Sequence, residues 1–530
     1  MRRFLYSFLA FLAFSSAAFA DTDSKVHVLN WDVAISNSGQ EIYTFTGVFY
    51  DGENPLYPLY HDIFYSYNDG ESVSAWVVNP VFEQINQSDL LSSVEKEDIP
   101  DEFIFYTQNG VQMKRSVTTL FVNPFYKEFG IIYRLKSFEI ETGTAALAST
   151  KPEKVFEETS VLNSGDWYPF YVSESGMYAV TGAEMAAMGI DISGINPENI
   201  AVFGNGGAML PEENVDERPA DIQQIAAQIT GGEDGSFDPE DKIVFYAEGP
   251  VVWRYNDRYH RYEHFKHLYS DVAGYYLTIL SEPAKRVTTV QSVSDDPTHI
   301  VNTYTRLLVH EEDDHSIIHS GKSWFGKEFT PSDTEINIDF YIPDVDTTED
   351  IFMLTEFVSR SIEDKCYFNV SLDGTLIADV EVRAISAGDN TTFARSKSTQ
   401  SIIQNHSNDN LSLAVLFEPG NSNSLGWIDY FELHAVSHLR YSGEQYPFRN
   451  LPSFGYQRVA QFNLYTGGRD DLQIWDITAF NDAAFVEYTM IDDTARFTRP
   501  SMELHEYIVF GNDDLMSPEF GDKIENQDLH

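Results

Sequence analysis

The chain has 530 residues and a formal charge of −49, from 83 acidic and 34 basic side chains. Such a surface repels phosphate backbones and anionic lipid, which excludes nucleic acid and electrostatic membrane docking as partners. An aromatic content of 14%, with 38 Phe and 30 Tyr, excludes a disordered chain, and a single cysteine excludes a disulfide framework, so the fold rests on burial alone.

In chain order, Arg2 and Arg3 precede the apolar run "FLYSFLAFLAF" from Phe4 to Phe14, and Ala18 and Ala20 stand at the small-residue positions of a cleavage site. Residues 1–20 read as a secretory signal peptide, with the mature chain starting near Asp21; the apolar run is too short for a membrane anchor. At about 150 residues per domain, three domains are expected. Residues 21–150 carry short alternating runs such as "EIYTFTGVFY" and "GIIYRLKSFEIE" separated by Gly/Asn/Asp turns, the pattern of a β-sandwich. Residues 151–300 read as a smaller mixed α+β domain. In it "WYPFYV" and "GMYAVT" suggest a hairpin around "SESG". Thr181 and Glu184 have capping-box spacing for a helix stopped at Gly189, and Ile222, Ile225, Ala226 and Ile229 fall on one face of a second helix. Residues 301–512 return to strand patterns and suggest a second β-sandwich. The fold class is therefore mainly β and multidomain, with two β-sandwich-like domains flanking a smaller mixed α+β domain.

Four segments invite a chemical reading. "GGEDGSFDPEDKIVFYAEGP", from Gly231, fits half of an EF-type calcium loop: with Gly235 at position 6, Asp234, Asp238 and Asp241 fall at positions 5, 9 and 12, but Thr230 and Gly232 occupy positions 1 and 3. Asp234, Asp238 and Asp241 are thus the candidate ligands of an extracellular calcium site; the alternative is an Asp/Gly turn between helix and strand. "FGNGGAML" follows a strand as a phosphate loop does, yet Met209 stands where the third glycine is needed and Pro211 interrupts the helix. In "HEEDDHSIIH" the pair His310 and His315 is five apart, and His315 and His319 lack the glutamate of a zinc protease, so a solvated acidic turn is expected. Cys366 shares a strand face with Phe368, Val370 and Leu372, which makes it a core residue and not a nucleophile. No nucleophile-elbow serine is present. No catalytic or cofactor-binding residue emerges.

Taken in order, "SGDWYPFYVSESGMYAVTGAEMAAMGID", "INPENIAVFGNGGAMLPE", "DIQQIAAQITGGEDGSFDPEDKIVFYAEGPVVWRY", "YYLTIL", "HEEDDHSIIHSGKSWFGKEF" and "LQIWDIT" resemble the non-catalytic amino-terminal region of the PorU family. These are the cell-surface sortases of the type IX secretion system, with a gingipain-type cysteine peptidase domain. The resemblance is strongest over 160–330. It implies export to the outer-membrane surface, where a whole member removes the carboxy-terminal signal of cargo proteins. The new carboxylate can then be joined to anionic lipopolysaccharide by a Cys/His pair. It also implies work beside an outer-membrane β-barrel partner of the PorV type. On this resemblance residues 513–530 are expected to be a linker to a catalytic domain missing from the chain, as in a truncated reading frame or a fragment of a longer protein. Cys366 matches no family nucleophile, so the chain alone is expected to be an inactive scaffold. The competing expectation is a free-standing adhesion or glycan-binding β-module whose acidic loop holds calcium.

Overall fold

The computed structural model describes residues 25–528, except for 37–39, 51–55, 66–70, 87–89, 92, 95–98, 101–102, 113–114, 129–130, 147–158, 212–217, 257–258, 320, 322, 388–391, 405, 456–457 and 502. The expected signal peptide lies outside the described residues. The structure is mainly β, as the alternating runs predict, and the chain divides into two compact units, Met1–Val155 and Phe156–His530. Among the described residues no helix is long and apolar enough to cross a membrane.

The first unit pairs two antiparallel sheets. In one, the long strand Ile131–Ala146 lies between Lys25–Val28 and Glu71–Ile85; in the other, Pro58–Tyr65 and Arg115–Val122 are central. Val77, Leu135, Phe138 and Ile140 from the first sheet meet Tyr60, Leu120 and Val122 from the second in one core. Register shifts around Ser137 let the long strand bend over that core.

The second unit opens with a five-stranded sheet in the order Gln223–Ile225, Ile200–Gly204, Ala273–Ile279, Tyr168–Val172, Glu519–Phe520. A three-stranded sheet of Gly176–Thr181, Lys242–Ala247 and Ala227–Thr230 faces it. The capping box is present: the Thr181 hydroxyl accepts from the Glu184 N–H at 3.1 Å, and the helix Gly182–Ala187 follows. Gly189, at φ +89°, supplies the left-handed stop.

Two local expectations fail here for one reason. "WYPFYV" and "GMYAVT" form no hairpin; Tyr168–Val172 pairs with Ala273–Ile279, and Gly176–Thr181 with Lys242–Ala247. Phe170 and Val172 face Tyr178 and Val180 across the core, so "SESG" carries the chain from one sheet to its partner. Likewise Ile222–Ile229 is not helical. Gln223–Ile225 joins Ile200–Gly204, Ala227–Thr230 joins Lys242–Ala247, and the switch falls at Ala226, whose N–H donates to the Asn481 carbonyl at 3.1 Å. The helical spacing of the isoleucines is overridden because Ile225 and Ala227, two apart, both enter the core while the backbone finds its partners in two different sheets.

Next comes a sandwich. Its first sheet has the order Thr303–Glu311, Leu425–His438, Ile351–Arg360, Arg395–Ile403; its second has Glu335–Tyr341, Asn410–Glu418, Cys366–Leu372, Thr375–Val382. Phe357 stacks on Phe368 at 4.4 Å in the shared core. The remaining strands of the 301–512 span make a further sheet pair around Phe448, Phe462, Phe497 and Tyr507. Residues after 513, expected as a linker, run back along the first sheet pair. Met516 bridges Tyr178, Phe520 pairs with Phe170, Ile524 bridges Trp167, and the Gln527 N–H reaches the Leu162 carbonyl at 3.1 Å.

Candidate functional site

The outer face of the sheet Thr303–Glu311/Leu425–His438/Ile351–Arg360 carries charge where an isolated sandwich would simply be wet. Along Leu425–His438, Phe431, Leu433 and Ala435 enter the core, so Glu432 and His434 point outward by strand alternation. They are nevertheless buried, because the hairpin of Val251–Asn256 and Arg261–Lys266 lies over them. His264 of the hairpin donates from Nδ1 to Glu432 Oε2 at 2.8 Å and from Nε2 to Glu311 Oε2 at 2.8 Å. His434 Nε2 donates to the other Glu432 oxygen at 2.7 Å. Burial alone would lower the His264 pKa, but the hydrogen bonds and charges of Glu311 and Glu432 overcome it and raise it to about 9. Burial would raise the Glu432 pKa, but its bonds to His264 and His434 bring it down to about 2. The hairpin is thus held by an imidazolium between two carboxylates. Its other end is anchored where the Tyr262 ring meets the buried Arg449, itself paired with Glu506.

Beside this clamp a cavity of about 580 Å³ opens on the same face. Leu268, Ile317, Trp324, Phe325 and Phe393 form apolar walls, and Glu311, Asp313, Glu356 and Asp429 bring four carboxylates to the lining. Two of the four are compensated: Glu311 by His264, and Asp313 by Lys266 at 2.6 Å. The carboxylates of Glu356 and Asp429 have no hydrogen-bond or ion-pair partner among the described residues. The backbone explains how Asp429 comes to be there. Glu356 pairs with Tyr430 but Phe357 pairs with Ile428, so Asp429 is the extra residue of a β-bulge, left out of the ladder. Burial, then the charges of Glu356, Glu311 and Asp313, raise its pKa to about 7. Glu356 and Asp429 thus place two half-buried carboxylates beside aromatic walls.

The residues singled out in the sequence lie elsewhere. Asp234 Oδ1 accepts from the Ser236 N–H and hydroxyl in an exposed turn, which holds its pKa below the usual range. Asp241, buried, accepts from the Asp238 N–H at 2.7 Å, while Phe237, just before Asp238, enters the core. Asp238 and Asp241 are therefore joined and Asp234 turns to its own neighbour; among the described residues no group of three or more His, Cys, Asp or Glu is placed to hold a metal ion. His310 lies in the strand Thr303–Glu311, His315 bridges Phe325, and His319 has φ +52° in a turn. Cys366 is fully buried, and the alternation of burial along Cys366–Leu372 is the one its sequence predicts. The glycines of "FGNGG" serve packing: a side chain on Gly207 would collide with the Gly249 carbonyl. Sequence reasoning missed His264, Glu432 and Asp429. The available signal was "WIDYFELH", where ionisable residues sit inside a run otherwise apolar enough for a core strand.

No family model and no curated protein matches the chain. Among solved structures, dimeric latent PorU from Porphyromonas gingivalis superposes with a TM-score of 0.62 at 20% identity, covering 71% of this chain and 34% of that one. The zymogenic form of gingipain K from Porphyromonas gingivalis gives 0.17 at 15% identity, over 23% of this chain and 86% of that chain. The complex of the pro- and mature domains of RgpB from the same organism gives 0.17 at 11% identity, over 24% and 83%. Scores that low carry no argument. The match to PorU does: over 71% of its length this chain has the fold of a part of latent PorU that makes up about a third of that protein.

Proposed function

We propose that this chain is the non-catalytic amino-terminal part of a type IX secretion system surface sortase, exported to the cell surface and serving there as scaffold and docking platform. The fold shared with PorU supports this reading and is the observation that carries it. The single cysteine agrees with it. A catalytic thiol must be reachable and activated as thiolate by a neighbouring base or positive charge. Cys366 instead sits at 0% exposure in an apolar core with Phe368 and Phe417. In the proposed setting the partners are an outer-membrane β-barrel of the PorV type and the secreted cargo. The test is to incubate the purified chain with cargo bearing an intact carboxy-terminal signal, alone and with the barrel partner. No cleavage by the chain alone, together with co-purification of the barrel, is expected. Cleavage that disappears in Cys366→Ala would overturn the assignment.

A further inference from the structure

We propose that the cavity on the outer face of the sandwich binds an alkylammonium group carried on an apolar chain, the chemistry of a lysine side chain or of a free polyamine. This site is independent of the scaffold reading above. Its volume of about 580 Å³ lies in the ordinary range of ligand pockets, about 300–1,000 Å³. The walls supply both halves of the recognition. Trp324 and Phe393 offer aromatic surface, Leu268 and Ile317 aliphatic surface, and a methylene chain buries itself against such walls while its charged head seeks a counter-ion. The counter-ions are Glu356 and Asp429. They come from adjacent strands, brought side by side by the pairing of Glu356 with Tyr430 and the bulge at Asp429.

Two of the cations beside the cavity are committed elsewhere. His264 is held between Glu311 and Glu432, and Lys266 is held by Asp313 and the Glu311 carbonyl. Arg395 also lines the cavity, but it is exposed and is not among the leading charges acting on Asp429, which are Glu356, Glu311, Asp313 and His264. A divalent metal is the poorer fit, since no three carboxylates converge at ligand geometry among the described residues. Leaving two like charges half buried and unpaired costs stability, and an incoming cation recovers that cost. Affinity therefore rises with pH as Asp429 ionises near 7.

The test is isothermal titration of the full chain at low salt and pH 7.5. The ligands are an acetylated and amidated Ala-Ala-Lys-Ala-Ala peptide, its norleucine counterpart, spermidine and calcium chloride. Saturable binding of the lysine peptide or spermidine is expected, and the tighter of the two identifies the source. Binding of the lysine peptide should fall about tenfold in Glu356→Gln, in Asp429→Asn and at pH 5.5, and about tenfold or more for norleucine. The norleucine comparison needs no variant and stands even if a substitution disturbs folding. No saturable heat with either amine, equal binding of the norleucine peptide, or preferential binding of calcium would overturn the proposal.

Discussion

Replacing His264 with alanine removes the cation shared by Glu311 and Glu432, at the point where the hairpin spanning 251–266 meets the sheet beneath it. The His264 pKa is about 9 in the folded protein against 6.5 unfolded, and at 1.36 kcal/mol per unit this corresponds to about 3 kcal/mol. Glu432, held at about 2 instead of 4.5, gives a similar figure from the other side of the network. The two describe one interaction and are counted once. The imidazole side chain is only 6% exposed, so solvent screening takes little from the estimate. Truncation also takes from Glu311 and Glu432 their shared cation and leaves Glu432 only its bond to His434, and breaking a buried pair on one side typically costs about 3–5 kcal/mol. The pH dependence has a fixed sign. Because the folded pKa of His264 is raised, its contribution is complete below pH 6.5 and is lost as pH rises through about 9. The Glu432 contribution is present above pH 4.5 and is lost as pH falls through about 2. The clamp is therefore tightest between those limits, near pH 5–6. Hydrogen exchange of the hairpin amides reads it directly, because local opening reports local free energy. In the parent chain, protection corrected for intrinsic exchange should fall about 100-fold from pH 6 to pH 9. In His264→Ala it should be low at both pH values. Adding Glu432→Gln to that variant should restore part of the protection, since it removes a stranded charge. Equal protection in parent and variant at pH 6, or a flat pH profile in the parent, would show that the clamp does not hold the hairpin.

Asp429 has the opposite sign. Its folded pKa is raised above 3.8, so its ionised form opposes folding increasingly from pH 3.8 to about 7 and fully above that. Asp429→Asn should therefore stabilise the chain at pH 8, by about 2 kcal/mol after discounting for partial exposure, and leave it unchanged at pH 4. Calorimetric midpoints at the two pH values test this, and a lower midpoint at pH 8 contradicts it. Deleting residues 513–530 strips backbone partners from Trp167, Pro169, Met177 and Ala179 and bares an edge of each facing sheet. The shortened chain should melt at lower temperature and associate with concentration in light scattering, as open sheet edges do. An unchanged midpoint would mean the tail is only laid on the surface.

What was legible in the sequence is what neighbours along the chain decide. Cys366, Phe368, Val370 and Leu372 read as one core face because strand alternation is local, and all four are buried. The Thr181 cap read correctly because it closes within three residues. Ile222–Ile229 misled because, in so short a run, the spacing of a helix face and that of two strands overlap. The choice was made by partners at Ile200–Gly204 and Lys242–Ala247. The same distinction separates the two acidic features. Asp234 and Asp241 have spacing suggestive of a ligand set, but short-range spacing lets each carboxylate satisfy a neighbour, Ser236 in one case and the Asp238 N–H in the other. At the clamp, His264 and Glu432 are 168 residues apart in sequence. Glu356 and Asp429, on different strands, line the cavity, and among the described residues their carboxylates have no hydrogen-bond or ion-pair partner. Carboxylates that can be satisfied within their own turn make structure. Those brought together only by the fold either find a partner from a distant strand, as Glu432 does in His264, or stay open to one from solution, as we propose for Glu356 and Asp429.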